Sequence, residues 1–190
     1  EANPRLQVEH TVTEQVTGLD LVKAQLRLAA GASLAEVGLR QADIPPPNGT
    51  AIQVRVNMET IDSDGNTLPS AGTLTAYDPP SGPGVRVDGF GYVGYTTSPR
   101  FDSLLAKVIA HGPSRTEALG RAYRALCEFR IDGVPTNIPL LQSLCRHPEV
   151  MADHVHTGFV EATIGALVNA GGAHPRLYFA DREVATGTVL

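Results

Sequence analysis

Polar and apolar residues alternate through the opening stretch EANPRLQVEH. Glu1, Asn3, Arg5, Gln7 and Glu9 occupy one parity, and Ala2, Pro4, Leu6 and Val8 the other. A period of two predicts a strand running into a loop, with the polar side chains on one face. Pro4 has no N–H to give to a ladder, so the segment is expected to bend there. Across 11–30 the period becomes helical. Leu19, Val22, Leu26 and Ala29 or Ala30 recur at spacings of three and four, Gly18 punctuates the run, and Asp20 suits a helix N-terminus. A further helical turn is predicted at 33–37. The run DIPPPNGT, 43–50, reads as a connector and as the boundary between a leading segment and the body.

The body begins with strands. Ile52, Val54 and Val56 alternate with Gln53, Arg55 and Asn57, and further strands are predicted at 72–77, 85–87 and 103–110. A helix then opens at Ser114-x-x-Glu117, a capping-box pattern, with Leu119, Ala122, Tyr123, Leu126 and Phe129 on one face. RIDGV predicts a short strand or turn. Thr136 is expected to cap a helix reaching Cys145, and 158–169 a last amphipathic helix. The tail from 176 has weak strand character. Neither an internal repeat nor a low-complexity tract is present.

With 190 residues the chain suits one domain, or one domain and part of another. An apolar fraction of 42% and a charged fraction of 18% are those of a globular protein. The net charge of −5, with Arg5, Arg55 and Arg86 scattered, argues against nucleic acid as a partner. No apolar run approaches the roughly 20 residues of a membrane-spanning helix, so no membrane partner is expected. Cys127 and Cys145 form no CxxC and read as reduced structural thiols, which fits a cytoplasmic location. The missing initiator Met suggests a piece of a longer protein.

The opening carries the chemistry. Glu1 and Asn3 are oxygen donors suited to a Mg²⁺ that also touches a nucleotide phosphate. Arg5 offers a fixed fork for a small planar oxyanion, Gln7 both donates and accepts, and Glu9 can take a proton. Fully extended, Glu1 to Glu9 would span roughly 26 Å, so one small site uses them all only if the segment bends. On pattern alone the alternation favours a solvated edge strand.

The residue order goes further. ExNPRxQVEHxVTE, 1–14, resembles the signature of the biotin carboxylases, the ATP-grasp components of biotin-dependent carboxylases. The resemblance continues in TGLDLVKAQLRLAAG, GTAIQVRVNMET, GVRVDGFGYVGYTTSPRFDSLLAKVIAHG and FRIDGVPTNIPLL, and ends near HTGFV, covering about 160 residues. It implies an α/β (α+β) fold: a biotin carboxylase C-terminal domain at 50–165, with a mixed or antiparallel sheet and flanking helices. The tail of an ATP-grasp domain would occupy 1–42, a linker 43–49, and a linker or the start of another unit 166–190. It implies ATP and bicarbonate as substrates, with carboxyphosphate as the intermediate and N1 of protein-linked biotin as the acceptor.

Carried over by motif, Glu1 and Asn3 would help hold Mg²⁺ or Mn²⁺, and Arg5, Gln7 and the Val8 backbone would bind bicarbonate. Glu9 would be the general base. Arg55 would stabilise charge on carboxyphosphate or on biotin enolate, the bland alternative being a strand arginine paired with Glu59. The implied partners are a biotin carboxyl carrier domain, a carboxyltransferase that selects the acceptor, the ATP-grasp part upstream of Glu1, and a second copy in a homo-oligomer. Its wording is closest to large multidomain acyl-CoA carboxylases. Without the upstream part, the chain alone is expected to be inactive.

Three positions depart from the family pattern. Thr50 and Gln53 stand where a histidine and a glutamate are usual. Pro83 replaces an aromatic residue that, with the arginine matching Arg86, lies at a dimer interface in some relatives, which puts that route to dimers in doubt. The rival readings are a non-catalytic assembly module and other ATP-grasp ligases such as carbamoyl-phosphate synthetases. The latter do not predict the GVPTN and FDSLLAKVI blocks. His154 and His156 read as ordinary polar residues, His10 as a packing residue or an orienter of Glu9, and Asp102 and Lys107 as structural, at a domain contact, with a catalytic role as the lesser alternative.

Overall fold

The computed structural model describes residues 2–178. Helix α1, His10–Thr17, ends at Gly18, whose φ of 73° turns the chain while its N–H caps the Glu14 carbonyl. Helix α2, Leu21–Ala29, starts where the Asp20 carboxylate accepts from the Lys23 N–H at 2.7 Å. Both helices and the Gly18 break were expected from sequence. The predicted turn at 33–37 is a single one, with the Val37 N–H on the Ser33 carbonyl.

After the exposed connector come strands β1 (Thr50–Asn57), β2 (Glu59–Ile61), β3 (Thr67–Pro69), β4 (Ala76–Asp78), β5 (Val85–Gly89) and β6 (Leu104–Gly112). Helix α3 (Arg115–Glu128), strand β7 (Arg130–Asp132), and helices α4 (Ile138–Arg146), α5 (Pro148–Met151) and α6 (Phe159–Ala170) follow. The central sheet has the order β1-β6-β5, and the pairs β2-β3 and β4-β7 stand apart. Every pairing among these strands is antiparallel. Mixed or antiparallel was the expectation; the structure selects antiparallel.

Register assigns the two faces of the central sheet. Val54 lies opposite Val108, Val56 opposite Ala106, and Val87 opposite Val108 from the other side. These residues share one apolar face. It packs on Leu119, Ala122 and Leu126 of α3, on Phe129 at its C-cap, and on Leu141 and Cys145 of α4. Each large aliphatic side chain buried there contributes about 1.5–3 kcal/mol relative to exposure, which is why α3 lies flat on the sheet. The Ser114 hydroxyl caps α3 at the Glu117 N–H, 3.3 Å, as the Ser-x-x-Glu pattern predicts.

Cys127 and Cys145 are both free and buried in this layer. Burial pushes both thiols up, Cys145 to about 12, which suits inert packing groups. The 171–178 segment returns over α3 and α4. There the imidazole of His174 meets the Tyr123 hydroxyl at 3.2 Å and the Ser143 hydroxyl at 3.0 Å.

Three expectations are corrected. Residues 2–9 form no strand, because no neighbouring strand offers them a ladder. The β2-β3 hairpin was not anticipated: its strands have three residues each, too few for a period to register. Its turn is held instead by the Asp62 carboxylate, which accepts from the Asp64 and Asn66 N–H groups at 2.9 Å each. Lastly, Thr136 does not cap α4; Asn137 takes the cap position, and its side chain reaches away from the helix.

The Asn137 amide oxygen accepts from the Asn57 N–H at 2.9 Å, and its nitrogen donates to the Arg55 carbonyl at 3.1 Å. It thereby spans the irregularity in β1 between Val56 and Asn57. The buried Glu59 carboxylate completes the cluster by accepting from Asn57 at 3.0 Å and from Ser103 at 2.9 Å. Removing Asn137 leaves a buried donor and acceptor unmatched, so Asn137→Ala is expected to cost about 3 kcal/mol in urea unfolding. Thr136→Ala is expected to cost less than about 1 kcal/mol in the same measurement.

Candidate functional site

The second face of the central sheet is polar, and the chain's opening lies on it. Arg55, Lys107 and Asp88 stand in one row across β1, β6 and β5, each directly opposite its neighbour. Gln53, Ile109 and Arg86 form the next row on the same face. Two cations side by side repel unless each has an anionic or carbonyl partner. Those partners come from residues 8–14 and from Asp88.

The opening is a turn that feeds a helix. The His10 N–H bonds the Gln7 carbonyl at 3.2 Å, and Glu9 has φ −79° and ψ 0°, as at the third position of a type I turn. The bend required for a shared site therefore exists, though it is completed at Gln7–His10. The Glu9 carboxylate accepts from Arg55 Nη2 at 3.0 Å, and both side chains are about half exposed. A pair that open to water adds at most about 1 kcal/mol of stability, so an incoming anion can reorganise it at little cost. Arg55 is not paired with Glu59, whose oxygens are taken by Asn57 and Ser103.

Deeper contacts anchor this turn. The Thr11 hydroxyl, fully buried, donates to Gln53 Oε1 at 2.5 Å. Thus Gln53, a departure from the family pattern, has a structural partner. Arg86 gives a forked pair of bonds to Asp88, 2.7 and 2.9 Å, and reaches Glu14 at 2.8 Å. Lys107 Nζ donates to the Val8 carbonyl at 3.0 Å and lies 3.3 Å from Asp88 Oδ2. Burial would raise the Asp88 carboxyl, but hydrogen bonds and charge pairing with Arg86 and Lys107 outweigh it and hold the group below the usual carboxylate range. Arg86 is correspondingly held more firmly protonated, chiefly by Asp88 and also by Glu14.

Of the residues singled out from sequence, the fold brings Glu9 and Arg55 together and draws in the Val8 backbone through Lys107. Arg5 is exposed and, among the described residues, bonds only the Leu6 carbonyl, at 3.3 Å. Gln7 and Asn3 are half-buried, and no hydrogen bond among the described residues joins them to Glu9 or Arg55. Glu1 lies outside the described residues. No group of three or more His, Cys, Asp or Glu among the described residues is arranged to hold a metal ion. Asn3 alone offers one neutral oxygen, so these residues do not by themselves make a Mg²⁺ or Mn²⁺ site. The half-exposed Arg55 guanidinium, by contrast, suits a urea or carboxylate oxygen.

His10 does not orient Glu9: its Nδ1 bonds the Gln7 carbonyl at 2.7 Å. Asp102 is structural, its carboxylate accepting from the Leu104 N–H at 2.8 Å. His154 lies 3.5 Å from Glu149, and His156 accepts from the Gly158 N–H, so the two serve separate local contacts. Lys107 was read as structural at a domain contact. Its contact is with the candidate site itself. The signal for that was a lone cation inside the apolar run LLAKVIA, since a buried ammonium needs a partner.

Residues 53–162 match the family model for the biotin carboxylase C-terminal domain. The chain belongs to the biotin carboxylase family. Residues 1–37 also match a model for the ATP-binding domain of the carbamoyl-phosphate synthase L chain. Biotin carboxylase 1 of Bacillus subtilis is 45% identical over 161 residues, covering 85% of this chain and 34% of that protein. The chain thus spans about a third of that relative. A single-chain, multi-domain long-chain acyl-CoA carboxylase superposes with a TM-score of 0.82 at 49% identity, over 88% of this chain and 18% of that one. The biotin carboxylase domain of a thermophilic 2-oxoglutarate carboxylase bound to bicarbonate gives 0.79 at 39% identity, over 87% and 36%. Members of this family are ATP-dependent carboxylating enzymes that work on biotin.

The depressed Asp88 carboxyl has a pH consequence. Its ionised form is favoured in the folded state, so its contribution is complete above the ordinary Asp value of about 4 and is lost as pH falls through the lower folded value. Thermal unfolding across that acid range should show the melting temperature falling on acidification. Asp88→Asn should flatten the curve, and the two proteins should converge at the acid end.

Proposed function

We propose that this chain supplies the bicarbonate and base side of a biotin carboxylase active site. Arg5, Gln7 and the Val8 backbone bind bicarbonate, Glu9 takes its proton, and Arg55 neutralises charge developing on the carboxyl donor or on the ureido oxygen of biotin. The observation that carries this reading is the Glu9–Arg55 pair, 3.0 Å apart and open to solvent, although 46 positions separate the two residues. A carboxylate held beside a guanidinium can accept a proton from an anion whose charge the guanidinium tolerates. The bicarbonate-bound relative supports the choice of anion.

The remaining assignments belong to the same proposal. ATP supplies the phosphoryl group that activates bicarbonate. Glu1 and Asn3 contribute to a Mg²⁺ or Mn²⁺ site whose other donors come from nucleotide phosphates and from outside the described residues. A carrier domain brings biotin, a carboxyltransferase takes the carboxyl group onward, and an ATP-grasp portion upstream of Glu1 holds the nucleotide. An acyl-CoA is the favoured final acceptor, on the greater likeness to the long-chain acyl-CoA carboxylase than to the 2-oxoglutarate enzyme. A cytoplasmic location belongs to the same proposal, supported by the two cysteines, which are free and buried.

In the full-length carboxylase containing this chain, Glu9→Gln should lower kcat for bicarbonate-dependent ATP cleavage by about 10²–10⁴-fold, the usual worth of a positioned base. The KM for ATP should be unchanged. Full activity in that variant would favour a non-catalytic assembly role instead. The isolated 190-residue chain is expected to show no bicarbonate-dependent ATPase; robust turnover would overturn the division of the site between this chain and an upstream portion.

A further inference from the structure

We infer that Lys107, with His10, is a positioning residue that aims two backbone N–H groups at the bicarbonate anion. The inference rests on the anion site proposed above. In a planar trans peptide the N–H points opposite to the C=O, so fixing a carbonyl fixes the direction of the N–H in the same unit. The Gln7 carbonyl belongs to the peptide that carries the Val8 N–H, and it receives two bonds from His10: Nδ1 at 2.7 Å and the backbone N–H at 3.2 Å. Because a carbonyl can only accept, Nδ1 of His10 is the donor in the first of these bonds. The Val8 carbonyl belongs to the peptide that carries the Glu9 N–H, and Lys107 Nζ holds it at 3.0 Å. Both carbonyls are therefore drawn inward onto fixed donors. Neither the Val8 nor the Glu9 N–H has an acceptor among the described residues.

Two successive N–H groups left free in the turn whose Glu9 carboxylate meets Arg55 make a concave donor pair of the kind that binds small anions. Lys107 acts at one remove. Its side chain is only 11% exposed, and its stem, with Val8, Phe90 and Leu105, lines a cleft of about 310 Å³ with apolar walls. In such surroundings a bond from an ammonium is stronger than one in water, and it polarises the Val8–Glu9 peptide so that its N–H becomes a better donor. Asp88 keeps the ammonium in place and balances its charge. A role confined to fold stability would not discriminate among substrates; a role in aiming these N–H groups acts on bicarbonate alone.

Lys107→Met keeps the stem and removes the donor. In the full-length carboxylase it should raise the KM for bicarbonate about tenfold, the worth of one charge-assisted hydrogen bond, and leave the KM for ATP unchanged. Lys107→Arg should recover most of the loss, and it guards against a Met variant that folds poorly. In the 190-residue chain, amide NMR should show the Val8 and Glu9 N–H signals shifting on bicarbonate titration, and shifting less in the Met variant. A bicarbonate KM in Lys107→Met equal to the parent's, or one that rises in step with the KM for ATP, would overturn the positioning role. Arg5→Ala separates the two levels. If it raises the bicarbonate KM while Lys107→Met does not, only the positioning role fails; if it leaves that KM unchanged, the anion site fails and the positioning role with it.

Discussion

A row of charge across three strands governs how this molecule is assembled. The β1-β6-β5 register sets Arg55, Lys107 and Asp88 side by side, which leaves one positive charge in excess on the middle of a sheet face. Such a row is stable only if something brings anions and carbonyl oxygens to it. The chain's opening does so. Glu9 meets Arg55, the Val8 carbonyl meets Lys107, and Glu14 meets the neighbouring Arg86. The same contacts that dock the opening on the sheet therefore build the candidate site.

The contacts in that row differ in what they contribute. Lys107 and Glu14 are largely enclosed, so losing either partner would leave a poorly solvated charge; these contacts hold structure. Glu9 and Arg55 are half exposed, and water screens their attraction. Rigidity thus lies behind the site and adaptability at its surface. Asn137 extends the rigid part, tying the backbone on either side of Val56 to the start of α4. Arg55 consequently rises from a strand whose irregularity is fixed from below.

Much of the architecture was legible along the chain. The alternation in AIQVRVN correctly separated the apolar residues that face α3 from Gln53 and Arg55, and Ser114 capped the helix that its spacing announced. Long periodic elements impose their burial pattern on many residues at once, so the pattern survives local exceptions. The short β2-β3 hairpin had no such redundancy. The opening strand failed for a different reason: period two describes which residues can share a face, but a strand also needs a neighbour to accept its hydrogen bonds. No strand of the central sheet pairs with residues 2–9 in a ladder, and the chain turned into a helix instead.

Sequence alone determined the family and the identity of the chemical groups, because motif order and residue type are properties of the chain itself. Glu9, Arg5, Gln7 and Arg55 could be named without coordinates. Tertiary structure decided which of them meet. Glu9 and Arg55 are 46 positions apart, and Lys107 and Val8 are 99 apart. Only the antiparallel register of β1 against β6, and the docking of the opening across it, closes those separations. A pairing across such distances depends on how two elements align in space, which no local period encodes.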